Sequence, residues 1–256
     1  MLSSLLLLVF FSSTAQLPPS QTPNGAPSGL ETPKPPPVPQ TAITDEMRGD
    51  IYMARKMYRE AIDKYEQMPE TAVLDNKIGI AYHQLLQLKV ARKYYQRAVK
   101  LKPTYAEAMN NIGTAYYGTR SYGKAIKIYK RALKFAPDSA SIFSNLGTAY
   151  FARHDYKRAF DAYQTAMSLD PDVFEHRNAY GVLLQERNVD DLARFHFYMA
   201  KAYAKSNMPD RALLYMRKAL EEGFKDRERF IRDPEFTSLQ KLPEFQQLLA
   251  LQPRVL

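Results

Sequence analysis

The chain has 256 residues, 45% of them apolar, and a net charge of +9, so it is long enough for one or two ordinary domains with a sizeable core. The absence of cysteine excludes disulfides, thiolate metal sites, a cysteine nucleophile and the acylated cysteine of a bacterial lipoprotein. A basic balance suits acidic partners, although a solvated charged surface is its commoner meaning.

The chain opens with MLSSLLLLVFFSSTAQ, in which an apolar run from Leu5 to Phe11 is followed by small residues. Ser13 and Ala15 take the −3 and −1 places of a small-x-small cleavage site, so residues 1–15 are predicted to be a secretory signal peptide, although no Lys or Arg precedes the apolar run. A spanning helix needs about 20 apolar residues, and no membrane span is expected here. Residues 16–41 hold nine of the 17 prolines and few large apolar side chains. Such a composition cannot bury enough surface to offset its ordering entropy, so a disordered, semi-extended tether is expected. Only Glu31 and Lys34 are charged in residues 1–41, which leaves the whole basic excess on residues 42–256.

From residue 42 onward the sequence falls on itself at a shift of 34. Gly79, Gly113, Gly147 and Gly181 are 34 apart, as are Tyr82, Tyr116 and Tyr150. The same step relates Ala91, Ala125 and Ala159, then Tyr95, Tyr129 and Tyr163, and then Pro103, Pro137 and Pro171. Gly49, Tyr52, Ala61 and Tyr65 repeat the pattern upstream after a shortened step of 30. A fixed period in this range marks a repeat array, each unit being a helix pair that cannot cover its own apolar faces.

The pattern resembles the tetratricopeptide repeat: small residue at place 8, Tyr at 11, Ala at 20, aromatic at 24, Ala at 27 and Pro at 32, with the usual Trp at place 4 missing. Residues 42–71, 72–105, 106–139 and 140–173 are four clear repeats. A degenerate fifth spans 193–226 and carries Ala200, Tyr203, Ala212, Met216 and Ala219. The resemblance implies an all-α fold, a right-handed superhelical solenoid of antiparallel helix pairs. It also implies that the first helix of each pair lines a concave groove, with Asn76, Lys77, Asn110, Asn111, Thr114, Tyr117, Ser144, Asn145, Thr148 and Phe151 facing into it. In that family, asparagine at place 6 holds an extended peptide, and here Asn111 and Asn145 occupy it. An amide carries both a donor and an acceptor, so bonds within the solenoid are the competing use. The basic residues of a carboxylate clamp are not present, since Ser141 and Ser144 stand where they would be needed.

Residues 118–125, GTRSYGKA, match the first seven places of a phosphate loop. The octet one repeat later is ARHDYKRA, with both glycines gone, and Ala125 stands where Ser or Thr is required. The octet is therefore read as the turn between two helices. Residues 174–192 break the period and are expected to be an irregular insert, with strand character in YGVLLQ. In residues 227–256, Phe236, Leu239, Leu242, Phe245 and Leu248 are expected to cap the open end of the array.

No catalytic constellation is found. His83, His154, His176 and His196 are not at metal-ligand spacing, and no cofactor or enzyme activity is expected. Lys93, Arg97 and Lys100 lie at i, i+4, i+7 on one second helix, and Lys127, Arg131 and Lys134 hold the same places one repeat on. These six read as an unopposed basic stripe on the outer face. The expectation is an exported bacterial scaffold, periplasmic or extracellular, with a protein or peptide partner in the groove. An anionic envelope polymer or membrane surface on the basic face is the alternative. Export argues against nucleic acid.

Overall fold

The computed structural model describes residues 43–174 and 189–250, and the expected signal peptide, tether and YGVLLQ stretch lie outside them. The described residues form helices and no strand. Five helix pairs follow one another: α1 (Asp45–Ala54) with α2 (Tyr58–Glu66), α3 (Ala72–Gln84) with α4 (Leu88–Leu101), α5 (Ala106–Gly118) with α6 (Tyr122–Ala132), α7 (Ala140–Phe151) with α8 (Tyr156–Leu169), and α9 (Val189–Lys205) with α10 (Pro209–Glu221). The chain is an all-α solenoid of antiparallel helix pairs, each packed on the next. α9 begins within the stretch expected to be an insert, so the fifth pair starts earlier than the periodicity suggested.

One device makes every turn inside a pair. Lys56, Leu86, Arg120, His154 and Asn207 all have φ between 56° and 60° and all stand at place 15. A left-handed residue after the last helical turn lets two amides return to carbonyls that would otherwise be orphaned. Gln87 N–H reaches Tyr82 O at 2.9 Å and Leu86 N–H reaches His83 O at 2.9 Å, and the same two bonds recur in the other four turns. The octet GTRSYGKA is the third of these turns. α5 ends at Gly118, Arg120 carries the positive φ and α6 starts at Tyr122, so a helix rather than a strand precedes it.

Close approach of the two helices depends on the glycine at place 8. A Cβ built on Gly113 would lie 2.4 Å from Tyr129 Cε1, and one on Gly79 2.5 Å from Tyr95 Cε1. Tyr65, Tyr95, Tyr129 and Tyr163 are in this way driven flat against a bare helix backbone, and each is at most 1% exposed. In the fifth pair the glycine becomes Ala200 and the tyrosine becomes Met216, both fully buried. A methyl group appears where a flexible thioether has replaced a rigid ring.

The open end beyond α10 is closed by α11 (Arg229–Arg232), a 3-10 turn (Pro234–Phe236) and α12 (Pro243–Ala250). Phe236, Leu239, Phe245 and Leu248 are buried, and Leu242 packs half-buried beside them. Phe197 of α9 stacks on Phe224 at 4.4 Å and meets Phe230 edge-on at 5.1 Å. Lys201 bridges Asp233 at 2.8 Å and Glu235 at 3.2 Å, which ties the cap to α9.

Candidate peptide groove and basic outer face

The polar residues of the first helices are joined to one another from pair to pair. Lys77 Nζ donates to Glu46 Oε1 at 2.8 Å, Asn111 Nδ2 to Asn76 Oδ1 at 3.0 Å, and Asn145 Nδ2 to Asn110 Oδ1 at 3.0 Å. In each case place 6 of one repeat donates to place 5 of the repeat before it. The amide orientations follow from the chemistry of the first acceptor. Glu107 can only accept, so Asn76 turns Nδ2 toward it at 2.9 Å. Asn76 then presents Oδ1 to α5, and Asn111 has to answer with its Nδ2. The ladder stops at the fifth pair, where place 6 is Tyr198, packed on Phe151 and stacked on Tyr156 at 5.2 Å.

A second set of bonds ties place 9 to the tyrosine at place 24. Tyr65 O–H donates to Asp50 at 2.7 Å, Tyr163 O–H to Thr148 at 3.4 Å, and the Tyr129 and Thr114 hydroxyls are 3.3 Å apart. Asp50 also receives Lys77 at 2.7 Å. Burial works to raise the Asp50 carboxyl, but the Lys77 and Tyr65 bonds outweigh it and hold it below its ordinary value.

These bonds change the picture drawn from periodicity. Asn76, Tyr117, Ser144, Asn145, Thr148 and Phe151 are buried, none more than 8% exposed, whereas Lys77, Asn110, Asn111 and Thr114 are partly accessible. The burial of the fourth repeat's set has a visible cause at Phe151, which is enclosed by Tyr156, Phe195 and Tyr198. Phe151 and Tyr117 are thus core aromatics, and the accessible part of the groove lies on α3 and α5. Two polar atoms there have no partner among the described residues: Asn110 Nδ2, whose oxygen is used by Asn145, and Asn111 Oδ1, whose nitrogen is used by Asn76.

On the outer face Lys93, Arg97, Lys100, Lys127, Arg131 and Lys134 are all exposed. The expectation that all six are unopposed fails at Arg97, which bonds Glu70 at 2.6 Å and Asp75 at 3.2 Å. Glu70 lies just beyond α2, at the place that Lys100 holds in the next repeat. Arg97 holds Glu70 below its ordinary value. Burial raises Asp75 to about 6 against the opposing pull of Arg97.

The histidines have structural surroundings. Burial lowers His83. His154 sits at a left-handed turn and shares a proton with the Tyr156 hydroxyl at 2.9 Å. His196 Nδ1 lies 2.5 Å from Glu222 Oε2, and burial pushes His196 down to about 4 and Glu222 up to about 7. His176 lies outside the described residues. No helix among the described residues is long and apolar enough to cross a membrane.

A sequence profile of the tetratricopeptide repeat matches residues 70–138 and 105–172. Residues 70–172 belong to the tetratricopeptide repeat family. No curated protein sequence matches it. Among solved structures it is similar to YrrB, described as a TPR protein with an unusual peptide-binding site, at 26% identity over 51% of this chain and 69% of that one, with a TM-score of 0.46. It is also similar to two crystal structures of MamA. One is 23% identical over 68% of this chain and 93% of that one, with a TM-score of 0.48. The other is 22% identical over 72% and 90%, with a TM-score of 0.48. The tetratricopeptide repeat is a protein-interaction fold, and this chain is a scaffold of that kind. The sequence carried a signal for the ladder, since places 5 and 6 are polar in successive repeats. The period alone does not say that place 6 of one repeat faces place 5 of the last.

Proposed function

We propose that this chain is an exported, non-catalytic scaffold of the bacterial cell envelope that holds an extended segment of a partner protein against α3 and α5. Envelope, pilus or secretion assembly is the class of task such a scaffold would serve. The observation that carries the reading is the pair Asn110 Nδ2 and Asn111 Oδ1, a donor and an acceptor on consecutive residues of α5 with the rest of each amide clamped by the ladder. An extended backbone offers the complementary acceptor and donor, and a clamped amide loses little side-chain entropy when it binds. The apolar run at Leu5–Phe11 and the small-x-small site at Ser13–Ala15 support export.

The test uses Asn110→Asp, which keeps the oxygen that Asn145 needs, removes the outward donor and adds one negative charge. The expected result is loss of a specific envelope protein from capture by the variant, while it is retained by the unaltered chain at high salt. Equal capture by both would end the groove reading. A tagged chain found only in the cytoplasmic fraction would end the export reading.

The exposed stripe supports a second reading, an anionic envelope polymer bound on Lys93, Lys100, Lys127, Arg131 and Lys134. Salt separates the two, because contacts to phosphate-type charge weaken steeply between about 50 and 200 mM.

A further inference from the structure

The crevices between successive second helices are not alike. Between α2 and α4 the space is filled from within the chain. Tyr94 stacks on Tyr82 at 5.3 Å and donates its hydroxyl to Glu66 at 2.7 Å, while Arg97 takes Glu70 and Asp75. Between α4 and α6 the same places are occupied differently. Tyr94 is answered by Ile128, Asp75 by Met109, and the acid at place 29, Glu70, by Lys100, while the arginine at place 26 is kept as Arg131. The result is an unfilled crevice of about 340 Å³ lined by Val99, Ile112, Tyr116 and Ile128, with Lys100 and Arg131 at its mouth. Neither cation joins a salt bridge or a side-chain hydrogen bond among the described residues. The next crevice, between α6 and α8, has Thr165 at place 26 and so lacks the arginine.

We propose that the α4/α6 crevice is a second docking site, for an acidic protein segment that carries an aromatic side chain. The first crevice shows what such a site accepts, because there the chain itself supplies an aromatic ring and two carboxylates. In the second, the partner's ring enters over Ile112 and Ile128 and meets Tyr116 edge-on, since Arg92 at 4.7 Å and Lys124 at 5.7 Å already lie over the Tyr116 ring. Its carboxylates meet Arg131, which has no equivalent of Glu70 or Asp75, and Lys100, which helps to lower the Glu70 carboxyl but forms no ion pair with it. An aromatic pair and charge-assisted contacts at a partly desolvated mouth act together there. The site opens between the second helices and takes Ile112 and Tyr116 from α5, but it uses none of the groove residues Asn76, Lys77, Asn110, Asn111 and Thr114.

The test titrates the full chain into a labelled five-residue peptide, one phenylalanine flanked by glutamates, and follows fluorescence anisotropy. A peptide with alanine at the centre and inorganic polyphosphate are the comparison probes. The expected result is binding of the phenylalanine peptide that is at least about tenfold tighter than that of the alanine peptide. Ile128→Tyr, which plugs the crevice as Tyr94 plugs the first, is expected to weaken it about tenfold. Arg131 is exposed, so Arg131→Glu leaves the fold intact and is expected to weaken binding by a similar factor. The proposal is overturned if the chain does not bind the phenylalanine peptide, or if folded Ile128→Tyr and Arg131→Glu proteins bind it as the unaltered chain does. Equal binding of the alanine peptide or polyphosphate also overturns it, and identifies a general polyanion face instead.

Discussion

Gly113→Ala is the substitution whose effect the packing of this array determines most directly. Two terms oppose each other. Alanine in a helix interior is favoured over glycine by about 0.8–1 kcal/mol. Against this, the new Cβ would stand 2.4, 2.6 and 2.8 Å from three atoms of the Tyr129 ring. An ordinary contact begins at 3.4 Å, so the ring has to retreat by about 1 Å. Tyr129 is fully buried and its hydroxyl meets Thr114 at 3.3 Å, so a retreat displaces further neighbours. Overpacking of this kind costs about 1–3 kcal/mol, and with a central cost of about 2 kcal/mol the net expectation is a loss of about 1 kcal/mol. Urea unfolding followed by helical circular dichroism measures it. Gly123→Ala is the control, because the nearest group to its new Cβ is Arg153 Nη1 at 3.8 Å, and it should leave stability unchanged or raised. The fifth pair, with Ala200 and Met216, supplies the rescue. Tyr129→Met combined with Gly113→Ala should be more stable than the sum of the single changes implies, by about 1 kcal/mol. If Gly113→Ala were as stable as the unaltered chain, or if the two changes simply added, the steric account of place 8 would be wrong.

Three further outcomes are expected. Leu86 is 80% exposed at φ 60°, so Leu86→Gly relieves a left-handed side chain and should raise the melting temperature, whereas Leu86→Val should lower it. Asn76→Ala removes a buried amide and its bonds to Glu107 and Asn111, both of which water can still reach, and should cost about 1–2 kcal/mol in urea unfolding, with no change of helix content at rest. His196 and Glu222 should show opposite pH signatures once separated. The depressed His196 favours the folded state more as pH rises from about 4 to 6.5, and the raised Glu222 favours it less as pH rises from about 4.5 to 7, so the two nearly cancel in the intact pair. Melting temperature should therefore climb across that range in Glu222→Gln and fall in His196→Asn. Identical pH profiles in both variants would contradict the pairing.

Much of the fold was legible because its determinants recur locally. Gly113, Tyr116, Ala125, Tyr129 and Pro137 each have copies 34 residues away, and repetition separates them from chance. The GTRSYGKA octet was read correctly as a turn, since its copy one repeat later keeps the turn and loses the glycines. Its left-handed residue was not legible, because Lys, Leu, Arg, His and Asn occupy place 15 in turn and share no side-chain chemistry. The site was less legible than the fold. Asn111 and Asn145 were visible as a recurring polar place, but their bonds are to Asn76 and Asn110, each 35 residues back. Arg97 looked like its copy Arg131, but Arg97 meets Glu70 beyond α2 and Asp75 on α3, and the next repeat has Lys100 and Met109 at those two places.

The sequence by itself determined the helix pairs, their glycine and tyrosine contacts and their turns, because those contacts join residues within one repeat and are written again in the next. Only the tertiary structure decided which polar groups face a partner and which face the neighbouring repeat. That choice is made where two repeats stack, and stacking depends on the relative rotation of helices that no single repeat encodes. It buries Asn145 and Phe151, leaves Asn110 and Asn111 each with one open polar atom, and opens a crevice beside Ile128 that Tyr94 closes one repeat earlier.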